Sequence, residues 1–366
     1  MRVVCAVLIA GNVSLAVRGC DAAGSRTAAP PEIAITPVAR LGESAGDGVL
    51  ADLILSVSRL SDGRFVVYDW NDAPVLKLFE AGGAFFRTVG RAGQGPGEYA
   101  RPSLQFLRES DGRLVVLDPQ LGRTTVLHPQ GFGVVSIGSL PPFFSIADVV
   151  PNRDGTWFLA AISFAEGARG QPLHVVRDDE VLQSFGADPA LGPDWDSGVY
   201  TRVIAPARVG ALWAAGRHSY TIEKWDAAGT RLHVIERSVP WFPPIRKPVR
   251  VPDHPGQAPT PHIAGIAEDH DGRLWVAVNV PVAHWAELLE PYVRPDGLTR
   301  YRVPGGPLTL FRARIEVLDA TTGAVVAEGE APAAIQSLLG DGFAATPFLE
   351  DGEPRVQIWK LSLSSR

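Results

Sequence analysis

A chain of 366 residues that is 46% hydrophobic and 20% charged can fill a large core, but 38 glycines and 31 prolines are too many for a helical protein. A formal net charge of -6 gives no sign of nucleic-acid binding. The two cysteines, Cys5 and Cys20, both lie near the N-terminus, so the body holds no disulfide framework, thiolate zinc site or cysteine nucleophile.

The first feature in chain order is the apolar run VVCAVLIAGNVSLAV (3–17) behind Met1 and Arg2. It is short for a membrane span and matches the apolar region of a secretory signal. It ends at Val17-Arg18-Gly19-Cys20, which resembles a bacterial lipobox. That resemblance implies cleavage before Cys20 and a diacylglycerol on its thiol. An ordinary cleaved signal, or an uncleaved anchor with Cys20 incidental, is the alternative. The expected organisation is a signal peptide over 1–19, a small, polar, flexible tether over 20–31 and one folded domain over 32–366. The expected location is a membrane-anchored lipoprotein facing the periplasm or cell exterior.

From residue 32 onward one unit recurs: an alternating strand, a turn ending in glycine, a strongly apolar strand, a short loop and a third strand. The turn glycines are Gly63, Gly112, Gly155, Gly210, Gly272 and Gly342, and in five of the six an aspartate precedes (Asp62, Asp111, Asp154, Asp271, Asp341). An Asp-Gly pair favours a tight hairpin turn with positive φ angles. The second strands read RFVVYD (64–69), RLVVLD (113–118), TWFLAA (156–161), ALWAAG (211–216), RLWVAV (273–278) and FAATPF (343–348). Apolar on both faces, they are expected to be central strands covered on both sides. The third strands include VLKLFEAGG (75–83) and RVQIWKLSL (355–363).

The sixth unit has no fourth strand, because the chain ends at Arg366, while EIAITPVARL (32–41) has no sequential partner. Adding the N-terminal strand to the last sheet would close a ring and remove two bare edges. The predicted fold is all-β, a six-bladed β-propeller closed by that strand. Two separate sandwich domains would leave both edges open.

The Asp-Gly-led repeats resemble those of NHL and SMP-30-like six-bladed propellers. GRAGQGPGEY (90–99) is similar to the G-x-x-G-x-G-P-G-E-[FY] segment of bacterial six-bladed propeller lipoproteins. The resemblance implies fold and location more than activity. As an anion-binding loop, GRAGQGPGEY lacks the lysine and Ser/Thr of a nucleotide loop, so it reads as a structural turn with Glu98 bonding locally.

Segments 91–102, 163–171, 186–199, 237–262 and 281–310 are long, and each joins a second strand to a third or one blade to the next. They therefore belong on one propeller face, at the mouth of the central channel. They carry Tyr99, Trp195, Trp241, Phe242, Trp285, Tyr292 and Tyr301, with Arg246, Lys247 and Arg250 set against Asp253. Such side chains suit a protein, peptide or carbohydrate partner, or they pack their own loops.

Propeller enzymes of the gluconolactonase or amidating-lyase type gather metal ligands at the channel ends of first strands. The matching positions here are Asp52, Gln105, Ser145, Tyr200, Arg202, His262 and Gln336. One histidine and one acid do not make a divalent metal site, and no cofactor or catalytic residue is expected. His262 with Arg202 and Tyr200 suits an anionic ligand. Asp269, His270 and Asp271 belong to a solvated turn on the opposite face.

The expected function is an extracytoplasmic, lipid-anchored propeller that binds a ligand or protein partner through its long-loop face. Tyr200, Arg202, Trp241, His262 and Trp285 are its candidate contacts, and Cys20 its lipid site. A lyase or hydrolase at the channel mouth is the alternative.

Overall fold

A computed structural model describes residues 31–43, 46–53, 55–107, 111–152, 154–187, 202–243, 245 and 247–364. Cys5, Cys20, the tether, Trp195, Tyr200 and Arg246 lie outside the described residues.

The second strands form because β-branched and aromatic residues run between a turn and a polar stop. Phe65–Asp69 and Leu114–Asp118 are buried at every position. Each is the second strand of a four-stranded antiparallel sheet, and six such sheets are present. Blade 1 runs Leu55–Arg59, Phe65–Asp69, Leu76–Phe79, Phe85–Val89, and blade 2 runs Leu104–Leu107, Leu114–Asp118, Arg123–Leu127, Val134–Ser139. Blade 3 runs Ser145–Pro151, Trp157–Ile162, Leu173–Arg177, Glu180–Phe185, and blade 4 runs Arg202–Ala207, Ala211–Gly216, Thr221–Trp225, Arg231–Glu236. Blade 5 runs His262–Glu268, Arg273–Pro281, Phe311–Asp319, Val325–Glu330.

Blade 6 takes its first three strands from the C-terminus (Ser337–Gly340, Phe343–Glu350, Glu353–Ser364) and its fourth from Glu32–Leu41. The N-terminal strand pairs antiparallel with the last one from Glu32 opposite Ser364 to Leu41 opposite Val356, with a bulge between Pro37 and Ala39. The chain is a six-bladed β-propeller.

Side chains alternate sides along a strand, so each second strand feeds two interfaces. Val66 and Tyr68 pack with Leu114, Val116 and Leu127 of blade 2. Phe65 and Val67 pack with Val356 and Ile358 of blade 6, together with Ala39 and Leu41 of the N-terminal strand. Every neighbouring pair of blades shares such a core, including the pair of blades 6 and 1.

The repeated turn differs from the tight two-residue type. Each of the six turn glycines has positive φ, but Asp62, Asp111, Asp154 and Asp271 do not; only Asp341 does, at 49°. In blade 1 the Leu60 amide donates to Arg64 O at 2.8 Å and the Gly63 amide to Leu60 O at 3.0 Å, a longer turn closed by one left-handed glycine. The aspartate acts through its side chain: Asp62 and Asp111 each accept the amide two residues on, at 3.1 Å.

Candidate functional site

The long-loop face is where second strands end and first strands begin, and those ends are polar for a shared reason. An incoming blade-to-blade segment carries backbone N–H groups with no sheet partner, and each needs an acceptor. Asp69, closing the second strand of blade 1, accepts the Ala51 and Asp52 amides. Asp118 does the same in blade 2 for Ala100 and Arg101, at 2.7 and 2.9 Å. In blade 5 the role falls to Asn279, which donates to Ile335 O at 2.8 Å and accepts the Ile335 amide at 3.0 Å.

Asn279 also fixes His262. Its amide lies 3.2 Å from His262 Nε2, while Nδ1 faces Thr260 O at 3.5 Å and the ring stands edge-on to Phe311. Burial, with the positive field of Arg217 and His218 behind it, depresses the imidazole to about 3. His262 is therefore neutral at physiological pH, with its Nε2 accepting a bond.

Across from it, the first strand of blade 3 carries a bulge between Ile146 and Asp148. Asp148 accepts the Val149 amide at 2.9 Å and, from the neighbouring blade, the Ile204 amide at 3.1 Å. Burial pushes its carboxyl up to about 6; the two amides and the Arg217 guanidinium oppose that shift without overcoming it. Arg217 follows the last residue of blade 4's second strand, and its carbonyl accepts the Ile263 amide at 2.8 Å. Burial lowers its pKa, Asp148 raises it and Arg250 lowers it again. Asp148 and Arg217 keep some solvent-exposed surface, while the protein packed around them accounts for the strong desolvation.

At blades 3 to 5, Asp148, Arg217, His218, Arg250 and His262 thus act on one another electrostatically. Arg202 is buried and opens blade 4's first strand; Arg250 is exposed on the 237–262 connection. Arg217 acts on both Asp148 and His262, and Arg250 on both Arg217 and His262, so the field at His262 is positive. Among the described residues no three His, Cys, Asp or Glu side chains converge as metal ligands would.

The remaining candidates divide by position. Gln105 is tied to Pro102 O at 2.6 Å and to Ser56 at 3.2 Å, and Asp52 bonds Asn71. Ser145 is exposed at the start of blade 3's first strand, and the Gln336 amide donates to Ala345 O. Trp241 is half-buried, edge-on to Tyr220 and Phe242, with the Arg314 guanidinium 4.8 Å from its ring centre. Trp285 and Tyr301 pack with Leu289, Leu310, Phe311 and Ala334, a small core that seats the 281–310 insertion on blade 5 and on the connection to blade 6.

Tyr99 and Phe242 are not surface aromatics: they are 1% and 2% exposed, each inside an inter-blade core. Tyr292 is exposed. Asp269 accepts the Asp271 and Arg273 amides and Trp275 Nε1, a turn bonded within itself.

Asp148, Arg217 and Asn279 did not stand out in the sequence. A signal existed for two of them: Asp69, Asp118, Arg217 and Asn279 are each the polar residue that ends or follows a run of apolar second-strand residues.

A family model described as a 6-bladed beta-propeller, DUF5128, matches residues 50–191. A presumed exported protein from Bacteroides fragilis is similar in structure, with a TM-score of 0.55 and 11% identity over 91% of this chain and 95% of that one. A member of the DUF4221 family from Bacteroides vulgatus gives a TM-score of 0.57 and 11% identity, covering 91% of this chain and 99% of the other. At such identities the likeness is one of fold. No curated protein matches the chain.

Proposed function

We propose that this propeller is exported, held to a membrane by a lipid on Cys20, and binds a ligand at its long-loop face, near Arg217 and Arg250 of blade 4 and its connection to blade 5. One observation carries the reading: Arg217, half-buried after blade 4's second strand, lies in the opposed fields of Asp148 and Arg250, and burial lowers its pKa. A partly desolvated guanidinium costs folding free energy, and a ligand that compensates it recovers part of that cost. The apolar run ending at Val17-Arg18-Gly19-Cys20 supports export and anchoring.

The test is to purify the chain from its native envelope, denature it and identify the released small molecules by mass spectrometry, beside Arg217→Gln. A molecule held by the wild type and absent from a folded R217Q supports the site. Equal retention by both, or none by either, overturns it. For the anchor, Cys20→Ser is expected to leave the detergent phase in which the wild type partitions; continued partitioning removes the lipid.

A further inference from the structure

We infer that a cavity at the outer edge of blade 3 is a second binding site, one that takes a small primary ammonium with an apolar body. It is built from other residues than the site proposed above and does not depend on it.

Three segments enclose the cavity. Pro141, Pro142 and Phe143 come from the connection between blades 2 and 3, Glu166 from the second-to-third loop of blade 3, and Leu182 and Ser184 from that blade's fourth strand. The enclosed volume is about 380 Å³, within the range of small-molecule sites. The fourth strand is the outermost of its sheet, so no further strand covers it, and Leu182 stays 39% exposed there. Adjacent prolines carry no backbone N–H, so that wall presents ring carbons and offers an anion no donor.

The polar lining follows from a buried histidine behind it. His174 is 0% exposed, and Phe143 packs on its imidazole with ring centres 4.9 Å apart. Its Nε2 lies 3.3 Å from Ala161 O, and a carbonyl can only accept, so the partners assign the proton to that nitrogen. Burial keeps the ring neutral, depressing it to about 4. Nδ1, 2.8 Å from Ser184 Oγ, is then an acceptor, and the Ser184 hydroxyl donates to it. With its proton committed to His174, the Ser184 oxygen offers lone pairs to the cavity. Ser163 accepts the Ala165 amide at 3.2 Å, and Gln183 can donate or accept, so neither sets the sign of the ligand.

Glu166 sets it. It is the one charged residue among the described residues of the lining and is exposed, whereas Arg169, further along the same loop, lies outside the walls. An anion entering here meets a carboxylate, a serine oxygen without a free proton and two prolines. A primary ammonium brings three donors for the Glu166 carboxylate and the Ser184 oxygen, while its carbon chain covers Phe143 and Leu182.

The probe is phenethylammonium, titrated into the purified chain at pH 7 by ligand-observed NMR, with phenylacetate as its anionic counterpart. The wild type is expected to bind phenethylammonium saturably and roughly millimolar, as suits so few atoms, and to leave phenylacetate free. Glu166→Gln should weaken binding about fivefold, the worth of one exposed ion pair. Ser184→Ala should weaken it by about the same factor. Should S184A fail to fold, Leu182→Lys, at the exposed edge, sets a like charge in the cavity and should abolish binding. Absence of saturation by phenethylammonium, or equal binding of phenylacetate, overturns the ligand class. Wild-type affinity in E166Q or L182K overturns the site, and wild-type affinity in a folded S184A overturns the serine as acceptor and the choice of ammonium with it.

Discussion

Two blade-to-blade connections leave the same face and put their polar groups to different uses. The one from blade 1 to blade 2 (90–103) is closed on itself. Glu98 accepts the Gly95 amide at 2.7 Å and pairs with Arg91 at 2.7 Å, and Arg123 reaches in from blade 2 to Gln94 O at 2.7 Å. Tyr99 lies so tightly beneath Gly90 that a Cβ there would sit 2.3 Å from its ring.

The connection from blade 4 to blade 5 (237–261) is fastened at its root, through Phe242 in the core between the two blades, and by an Asp253–Arg300 pair to the 281–310 insertion. Arg237 donates to the buried Glu316 at 3.1 Å, Tyr220 donates to the same carboxylate, and Thr260 pairs with Val249. Burial, and next to it the carboxylate of Glu316, itself 1% exposed, pushes the phenol of Tyr220 upward. Beyond that root Lys247 and Arg250 are exposed. A loop that spends its charges on its own turn is a structural element; one that leaves them over a channel is available to a ligand.

The largest effect expected is at the root of the second connection. Glu316→Ala leaves Arg237 and the Tyr220 hydroxyl buried without their acceptor and should cost about 3 kcal/mol in urea unfolding. A loss below about 1 kcal/mol would mean that the root is not what holds the loop. Next, Gly90→Ala combines a φ of +87° with the clash on Tyr99 and should cost about 2 kcal/mol. A neutral result would make the first connection as loose as the second.

A smaller effect concerns acid stability. Burial holds His262 near 3 and His174 near 4, below the ordinary imidazole value, so the unfolded chain binds more protons and stability falls as pH drops below about 6.5. Asp148 has the opposite sign: raised to about 6, its folded form binds more protons, so its contribution to stability grows as pH falls from 6 toward 4. Asp148→Asn removes that offset, and its urea midpoint should fall more steeply than the wild type's between pH 6.5 and 4.5. Parallel curves would show that Asp148 is not desolvated.

The smallest effect sharpens the contrast directly. Glu98→Gln, on the self-contained connection, should leave retention of the molecule co-purified with the wild type unchanged. A change there would extend the site to blades 1 and 2.

Much of the fold was legible because its signals are local. A six-residue apolar strand after a turn glycine, repeated six times, states which strands are central, and a period of two states that each serves two interfaces. Strand count alone pointed to the pairing of Glu32–Leu41 with the last blade. The turn chemistry was half legible: glycine's positive φ followed from its identity, whereas the side-chain role of Asp62 and Asp111 depends on a loop length that Asp-Gly does not encode.

The site was less legible. Arg202 and His262 open first strands where the repeat places them, whereas Tyr99 and Phe242, which read as loop aromatics, are core. Residue type does not say which way a loop side chain turns; the packing of neighbouring blades does. The amino-acid order by itself determined the strands, their number and their two-sided burial, since these follow from short-range patterns. Only the tertiary structure decided that Asp148 would meet the Ile204 amide, 56 residues along the chain, within the field of Arg217. Charges spaced this far apart acquire meaning only when closure of the ring brings inner strands of successive blades together and removes the water between them.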